Sequence, residues 1–212
     1  MILTRHEIWQ LIAEKKIIFS PPLDEFQNQP HAVDLRLGRI FYVPKIWKIS
    51  ARGREILTVD FLSENNKNFE KIKLKNGQFF ELAPGESVIA ATAEKISIRE
   101  KNLMATLHPR SSTNRRGLSV DLTGIVDANY SGNLMIPIKN KTASQIIRIW
   151  PGERICQLIF QQLVRALDPA DAQRYGKNPA KYENADAANL NCKKDADDEI
   201  SLIKNGKIFS KK

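Results

Sequence analysis

The stretch HPRSSTNRRG, residues 108–117, sets two adjacent hydroxyls, Ser111 and Ser112, among Arg110, Arg115 and Arg116. If Ser112 opens a helical turn, the unbonded backbone N–H groups there point outward. Hydroxyls, guanidinium groups and helix-start amides together suit phosphate oxygens. The plainer alternative is a serine-capped turn carrying solvated arginines. A second candidate is Asp127 in TGIVDANYSGNLMIPIKN, residues 123–140, an acid in an apolar run between two glycines. Such an acid is either a turn-former or a placed general base. Tyr130 offers a ring to stack on a planar base, or belongs to the core. Asp34 alternates with apolar residues in VDLRLG, which makes it an exposed strand-face acid or a ligand to metal-bound water. His6, His31 and His108 share no metal spacing, and Cys156 and Cys192 form neither a disulfide framework nor a metal quartet.

Residues of these kinds need a scaffold, and the chain between them reads mostly as strand. Thr4-Arg5-His6-Glu7 is a capping box ahead of Ile8, Leu11 and Ile12, so a short amphipathic helix is expected over residues 5–15. AVDLRLGRIFYV alternates and is rich in branched and aromatic residues. FEKIKLKNGQFFEL reads as a hairpin around Asn76-Gly77. SVIAATAEKISI, GLSVDLTGIVD, GNLMIPIKN, QIIRIW and RICQLIFQQL add further strands, with a helical turn expected within 99–107. Two PGE triplets, 84–86 and 151–153, have the proline and glycine of type II turns. Many short strands punctuated in this way imply a β-sandwich, jelly roll or distorted barrel. GxGxxG and Walker loops are absent from the sequence. After about residue 167 apolar density falls, which reads as a polar tail over 168–212 following a domain at 1–167, with one more small hairpin around Asn205-Gly206.

With 212 residues, 42% hydrophobic and 27% charged, the chain fits one well-buried core. No apolar run of about 18 residues exists, and the N-terminus lacks a signal peptide's apolar core, so a cytoplasmic protein without membrane contact is expected. The net charge of +9 calls for an anionic partner or a solvated surface. The basic residues are scattered, without a zinc-finger or RRM-like motif, which favours a phosphate-bearing small ligand over nucleic acid.

In order, AVDLRLG, PRSSTNRRGL, GIVDANYSGNL and PGERICQLIF resemble the successive motifs of the dCTP deaminase/dUTPase superfamily. The tail RYGKNPAKYEN resembles the C-terminal segment of dCTP deaminases, and the likeness runs from about residue 1 to 188. The resemblance implies a mainly β, distorted β-barrel or jelly roll of the dUTPase-like type with a short N-terminal helix and a flexible tail. It implies a homotrimer with active sites at subunit interfaces, acting on dUTP or dCTP with Mg²⁺. Arg110, Ser111 and Ser112 match the phosphate-binding motif, and Arg115 an active-site arginine of the deaminases. Asp127 matches the acid that activates water in dUTPases, and Tyr130 the tyrosine that stacks near the deoxyribose or base. Gln157 matches a phosphate-side glutamine, Asp34 the acid that helps hold magnesium–triphosphate, and Tyr175 and Lys181 tail residues that close over the triphosphate.

Three positions depart from the pattern. Pro137 stands where the deaminases carry their proton-shuttling glutamate; proline has no ionisable group and removes a ladder N–H. The stretch from Gly117 to Asp127 is one residue short, and a tail glutamine is replaced around Ala185. The leading expectation is therefore a dUTP diphosphatase with Asp127 activating water. The alternatives are a dCTP deaminase, alone or bifunctional, and a non-catalytic dNTP-binding regulatory trimer.

Overall fold

The computed structural model describes residues 1–64, 66–120, 124–166, 168, 174–175, 178–179, 185–190 and 193–208. In chain order the elements are α1 (Arg5–Ala13), β1 (Ile17–Ser20), a 3₁₀ turn (Glu25–Gln27), β2 (Val33–Pro44), β3 (Trp47–Ser50), β4 (Gly53–Ile56), a 3₁₀ turn (Asn66–Asn68), β5 (Phe69–Lys73), β6 (Phe80–Leu82), β7 (Ser87–Ile98) and β8 (Leu103–Pro109). Then come α2 (Ser111–Arg115), β9 (Leu118–Val120), β10 (Ile125–Val126), β11 (Ser131–Asn140), β12 (Ile147–Ile149), β13 (Arg154–Gln162), β14 (Arg174–Tyr175), β15 (Asn178–Pro179) and α3 (Asp197–Lys204).

The capping box forms as expected: Thr4 N donates to Glu7 Oε2 at 2.7 Å, and Ile8 buries the helix against the barrel. The main sheet runs β10-β8-β13-β2-β7-β11-β9, with β1 also on β7 and β5 also on β2. It curls into a half-barrel because β2 serves two sets of partners. Residues 33–36 pair with β13, and residues 37–42 pair with β7 after an irregularity between Leu37 and Phe41. Val88, Ala90, Ile96 and Ile98 of β7 face Val33, Leu35, Leu37 and Leu158 in the core. Phe41 stacks on Phe80 at 4.8 Å, and Phe19 meets Phe160 edge-on.

Both PGE turns form, with φ +78° at Gly85 and +94° at Gly152, the left-handed value that only glycine adopts freely. Each glutamate closes its own turn: Glu86 accepts from Ala83 N at 2.8 Å and Glu153 from Trp150 N at 2.9 Å.

Three expectations are corrected. Asn76-Gly77 turns the chain, but β5 goes to β2 and β6 to β12, so the flanking strands do not form a hairpin. The turn expected within 99–107 is confined to residues 101–102, where Leu103 N bonds Glu100 O at 3.4 Å; 103–107 are strand, because β8 pairs with β13 along its whole length. The second Asn-Gly ends a helix: Asp197, Asp198 and Glu199 sit in the first turn of α3, where the helix dipole favours acids. Lys207 N bonds Leu202 O beyond Gly206, closing the helix end.

The C-terminal segment 185–190 returns to the outer face of the sheet. Ala185 bridges Gly132, Asn133 N bonds Ala185 O at 2.9 Å, and Tyr42 Oη and Lys71 Nζ donate to Ala187 O and Ala188 O. A Cβ on Gly132 would lie 2.8 Å from Ala185 N, so the contact requires glycine there.

Candidate active site

Asp34 organises the basic residues. Its β2 neighbours alternate inward, yet Asp34 is only 1% exposed because the turn at 24–27 lies across that face. Gln27 donates to Asp34 O at 2.9 Å and to Glu94 Oε1 at 2.7 Å, which holds the turn down. Asp34 Oδ2 takes Arg110 Nε at 3.0 Å and Arg154 Nη1 at 3.2 Å. Arg110 Nη1 also donates to Arg154 O, so the two guanidinium groups are fixed to each other's strands. Burial pushes the Asp34 carboxyl upward, and Arg110, Arg154 and Arg36 pull it back. The exposed-acid reading of Asp34 fails, because its face of β2 is covered.

Above this pair lies a cavity of about 450 Å³ lined by Arg36, Arg110, Ser112, Arg116, Arg148 and Arg154 among others. Arg36 is held in turn, by Asp24 at 2.6 Å and by Gly152 O at 2.6 Å. Ser111 and Ser112 open α2, whose cap is Arg110, and Arg115 lies in its last turn; all three are exposed. Gln157 sits directly between Asp34 on β2 and His108 on β8 in the ladder, so the three share one face. The structure thus gathers Asp34, Arg110, Ser111, Ser112, Arg115 and Gln157 at one end of the half-barrel. It adds Arg36 and Arg154, which the sequence reading passed over. Their signal was the alternation of Asp34 with Arg36 and the arginine directly after the second PGE turn.

Asp127 and Tyr130 lie elsewhere. Val126 pairs with Ala105 of β8, five residues before Arg110, which places Asp127 roughly 16–20 Å along the strand from the arginines. Asp127 is half-buried, and its carbonyl accepts from Tyr130 N at 3.1 Å in a turn with Asn129 at φ +65°. The Tyr130 ring packs against the core and its hydroxyl donates to Asn133 O at 3.0 Å. Burial holds that phenol up at about 12. Pro137 is exposed on β11 opposite Ile89. Among the described residues, its neighbours on that face, Ile89, Met135 and Lys139, carry no carboxylate. Asp121, which a shift of register could bring in as a substitute for the deaminase glutamate, lies outside the described residues, as do Lys181 and the side chain of Tyr175.

As for a metal, no group of three or more His, Cys, Asp or Glu side chains among the described residues could hold one. Asp34 Oδ1, however, is buried without a hydrogen-bond partner among them. Such an acceptor fits a water carried by a cation that is bound mainly through phosphate oxygens. Among the described residues, no helix is long and apolar enough to cross a membrane.

The comparisons agree with this geometry. Residues 2–163 match the family model described as dCTP deaminase-like. A Dictyoglomus turgidum protein named "dCTP deaminase, dUMP-forming" is 34% identical over 187 residues, covering 87% of this chain and 90% of that one. A protein of the same name from Sulfurihydrogenibium is 36% identical over 163 residues, covering 77% of this chain and 84% of its own. The crystal structure of 2'-deoxycytidine 5'-triphosphate deaminase from Agrobacterium tumefaciens shares the fold, with a TM-score of 0.59 at 23% identity. That match covers 76% of this chain and 48% of the Agrobacterium chain. With the half-barrel, the braced arginines and the ordered motifs all in place, the chain belongs to the dCTP deaminase-like family.

Proposed function

We propose that the protein hydrolyses a pyrimidine deoxynucleoside triphosphate, dUTP above all, to the monophosphate and pyrophosphate. The observation that carries this reading is the pairing of an intact arginine–serine cradle with Pro137. The cradle suits phosphates, whereas the position matched to the deaminase glutamate has no proton acceptor and no described carboxylate beside it.

Asp127 takes a proton from water as the water oxygen attacks the α-phosphorus. The bond from that phosphorus to the bridging oxygen breaks, and pyrophosphate leaves into the cradle. Arg110, Ser111, Ser112, Gln157 and Lys181 hold the phosphates in line, with Arg115 beside them. Tyr130 borders the nucleoside, and Tyr175 closes with Lys181 over the triphosphate. Asp34 would hold Mg²⁺ through water at its Oδ1, which has no hydrogen-bond partner among the described residues, and the ion would supply positive charge opposite the leaving pyrophosphate.

In one chain, Asp127 lies too far from Arg110 for both to touch one α-phosphate. The reading therefore pairs the Asp127 end of one copy with the Arg110 end of another, in a homotrimer with shared sites.

A second reading, dCTP deamination alone or followed by hydrolysis, is favoured by the name of the relatives, at 34% identity over most of both chains. The test incubates the full chain with dCTP, dUTP and dTTP plus Mg²⁺ and separates the products by chromatography. Release of dUMP and pyrophosphate from dUTP, with dCTP left intact, is expected. Ammonia released from dCTP would establish the second reading, and no product from any nucleotide would overturn both.

A further inference from the structure

Arg110 is a matched motif position, and Arg36 and Arg154 are tied to Asp24 and Asp34, which leaves two arginines of the cavity, Arg116 and Arg148. Arg148 projects from β12 opposite Glu81. Its Nε and Nη2 both bond Glu81 Oε1, at 3.1 and 2.7 Å. Its guanidinium carbon lies 3.9 Å from the centre of the Phe79 ring, which in turn packs on Trp150 at 5.0 Å. A guanidinium stacked on a ring and forked to a carboxylate is held flat before any ligand arrives. Its Nη1 makes no hydrogen bond among the described residues, and Arg148 lines the cavity. Arg116 follows α2, on the wall that carries Arg110 and Ser112, and makes no ion pair among the described residues.

The balance of charge supports a polyanion here. Five guanidinium groups line the cavity against one lining carboxylate, Glu153. Asp34 and Asp24 occupy donors of Arg110, Arg154 and Arg36 on the inner side, leaving Arg110 Nη2, Arg148 Nη1 and Arg116 with donors to spare among the described residues. A guanidinium has five N–H donors, and spare donors on opposing walls suit successive phosphates of one chain.

We propose that Arg116 and Arg148 extend the cradle to a third phosphate and so make the site select triphosphates over diphosphates. This rests on the hydrolase reading above but concerns different residues from those placed in its chemistry. Arg110 and Ser112 hold the first two phosphates from one wall, and Arg148, preset by Phe79 and Glu81, meets the last from the other.

The test is calorimetry on the full chain with inorganic tripolyphosphate and with pyrophosphate. The unaltered protein should bind tripolyphosphate more tightly. Arg116→Gln and Arg148→Gln should each weaken tripolyphosphate about tenfold, the scale of a charged hydrogen bond, and leave pyrophosphate nearly unchanged. Arg148→Lys keeps the charge but loses the fork and should recover only part of the affinity. Arg116 is exposed, so its variant separates ligand loss from misfolding. Equal losses for both anions, or no loss, would overturn the proposal. If the variants behave as expected but the protein turns over no nucleotide, the hydrolase reading fails and this one stands. If nucleotide is turned over with unchanged KM in both variants, this one fails alone.

Discussion

The two ends of the half-barrel solve opposite problems. At the arginine end, fixed positive charge must survive without ligand. Asp34, Asp24, Glu94 and Gln27 tie Arg36, Arg110 and Arg154 to backbone and carboxylate alike. At the Asp127 end the carboxylate is half-buried at the tip of a two-residue strand, and the next strand carries a solvent-facing proline. One end is rigid because it must present several donors at once. The other end presents Asp127, with Pro137 exposed on the next strand.

The largest expected effect lies at the sparse end. Asp127→Asn should lower dUMP formation by about 10²–10⁴-fold, the range for one general base, with the oligomer unchanged by light scattering. Activity at the original rate would move the base elsewhere. Pro137→Glu asks whether the missing glutamate alone separates the two chemistries. Ammonia release from dCTP should rise by about 10²-fold or more above the original protein, measured against unchanged pyrophosphate release from dUTP. If ammonia does not rise, the shortened stretch before Asp127 is the deeper barrier.

The smallest effect probes the bracing. Burial pushes the Glu94 carboxyl up, against its bonds from Arg36 N and Gln27. Its folded form then holds a proton more tightly than the unfolded chain does. That contribution therefore favours folding at low pH and is lost as pH rises from the ordinary carboxylate range through the raised value. Glu94→Gln should flatten this slope, as measured by urea unfolding at acid and at neutral pH. Parallel curves for the two proteins would show that Glu94 takes up its proton equally in the folded and unfolded chains.

Much of the barrel was legible because alternation and turn chemistry are local. AVDLRLGRIFYV, SVIAATAEKISI and both PGE turns fall where the sequence puts them. Pairing was less legible. Asn76-Gly77 marks a turn truthfully, but which strand each flank joins depends on β2 and β12, far away in sequence. Asn205-Gly206 carries the same dipeptide as a helix stop, where three acids ahead of it set the outcome. The motif residues of the site were readable. Their arrangement was not, because Asp34 looks like a solvent-facing residue until the turn at Gln27 is laid over it.

The return of residues 185–190 to Gly132, Asn133, Tyr42 and Lys71 has a polymer consequence. Residues 185–190 thus hold the chain to the sheet a second time, well after β13. Closing such a loop costs entropy once, during folding, and the cost grows only slowly with length. Thereafter residues 185–190 are kept at Gly132 and Asn133 by the chain itself, not by diffusion. Cutting the chain before Ala185 would remove no candidate site residue, yet it would turn a unimolecular contact into a bimolecular one.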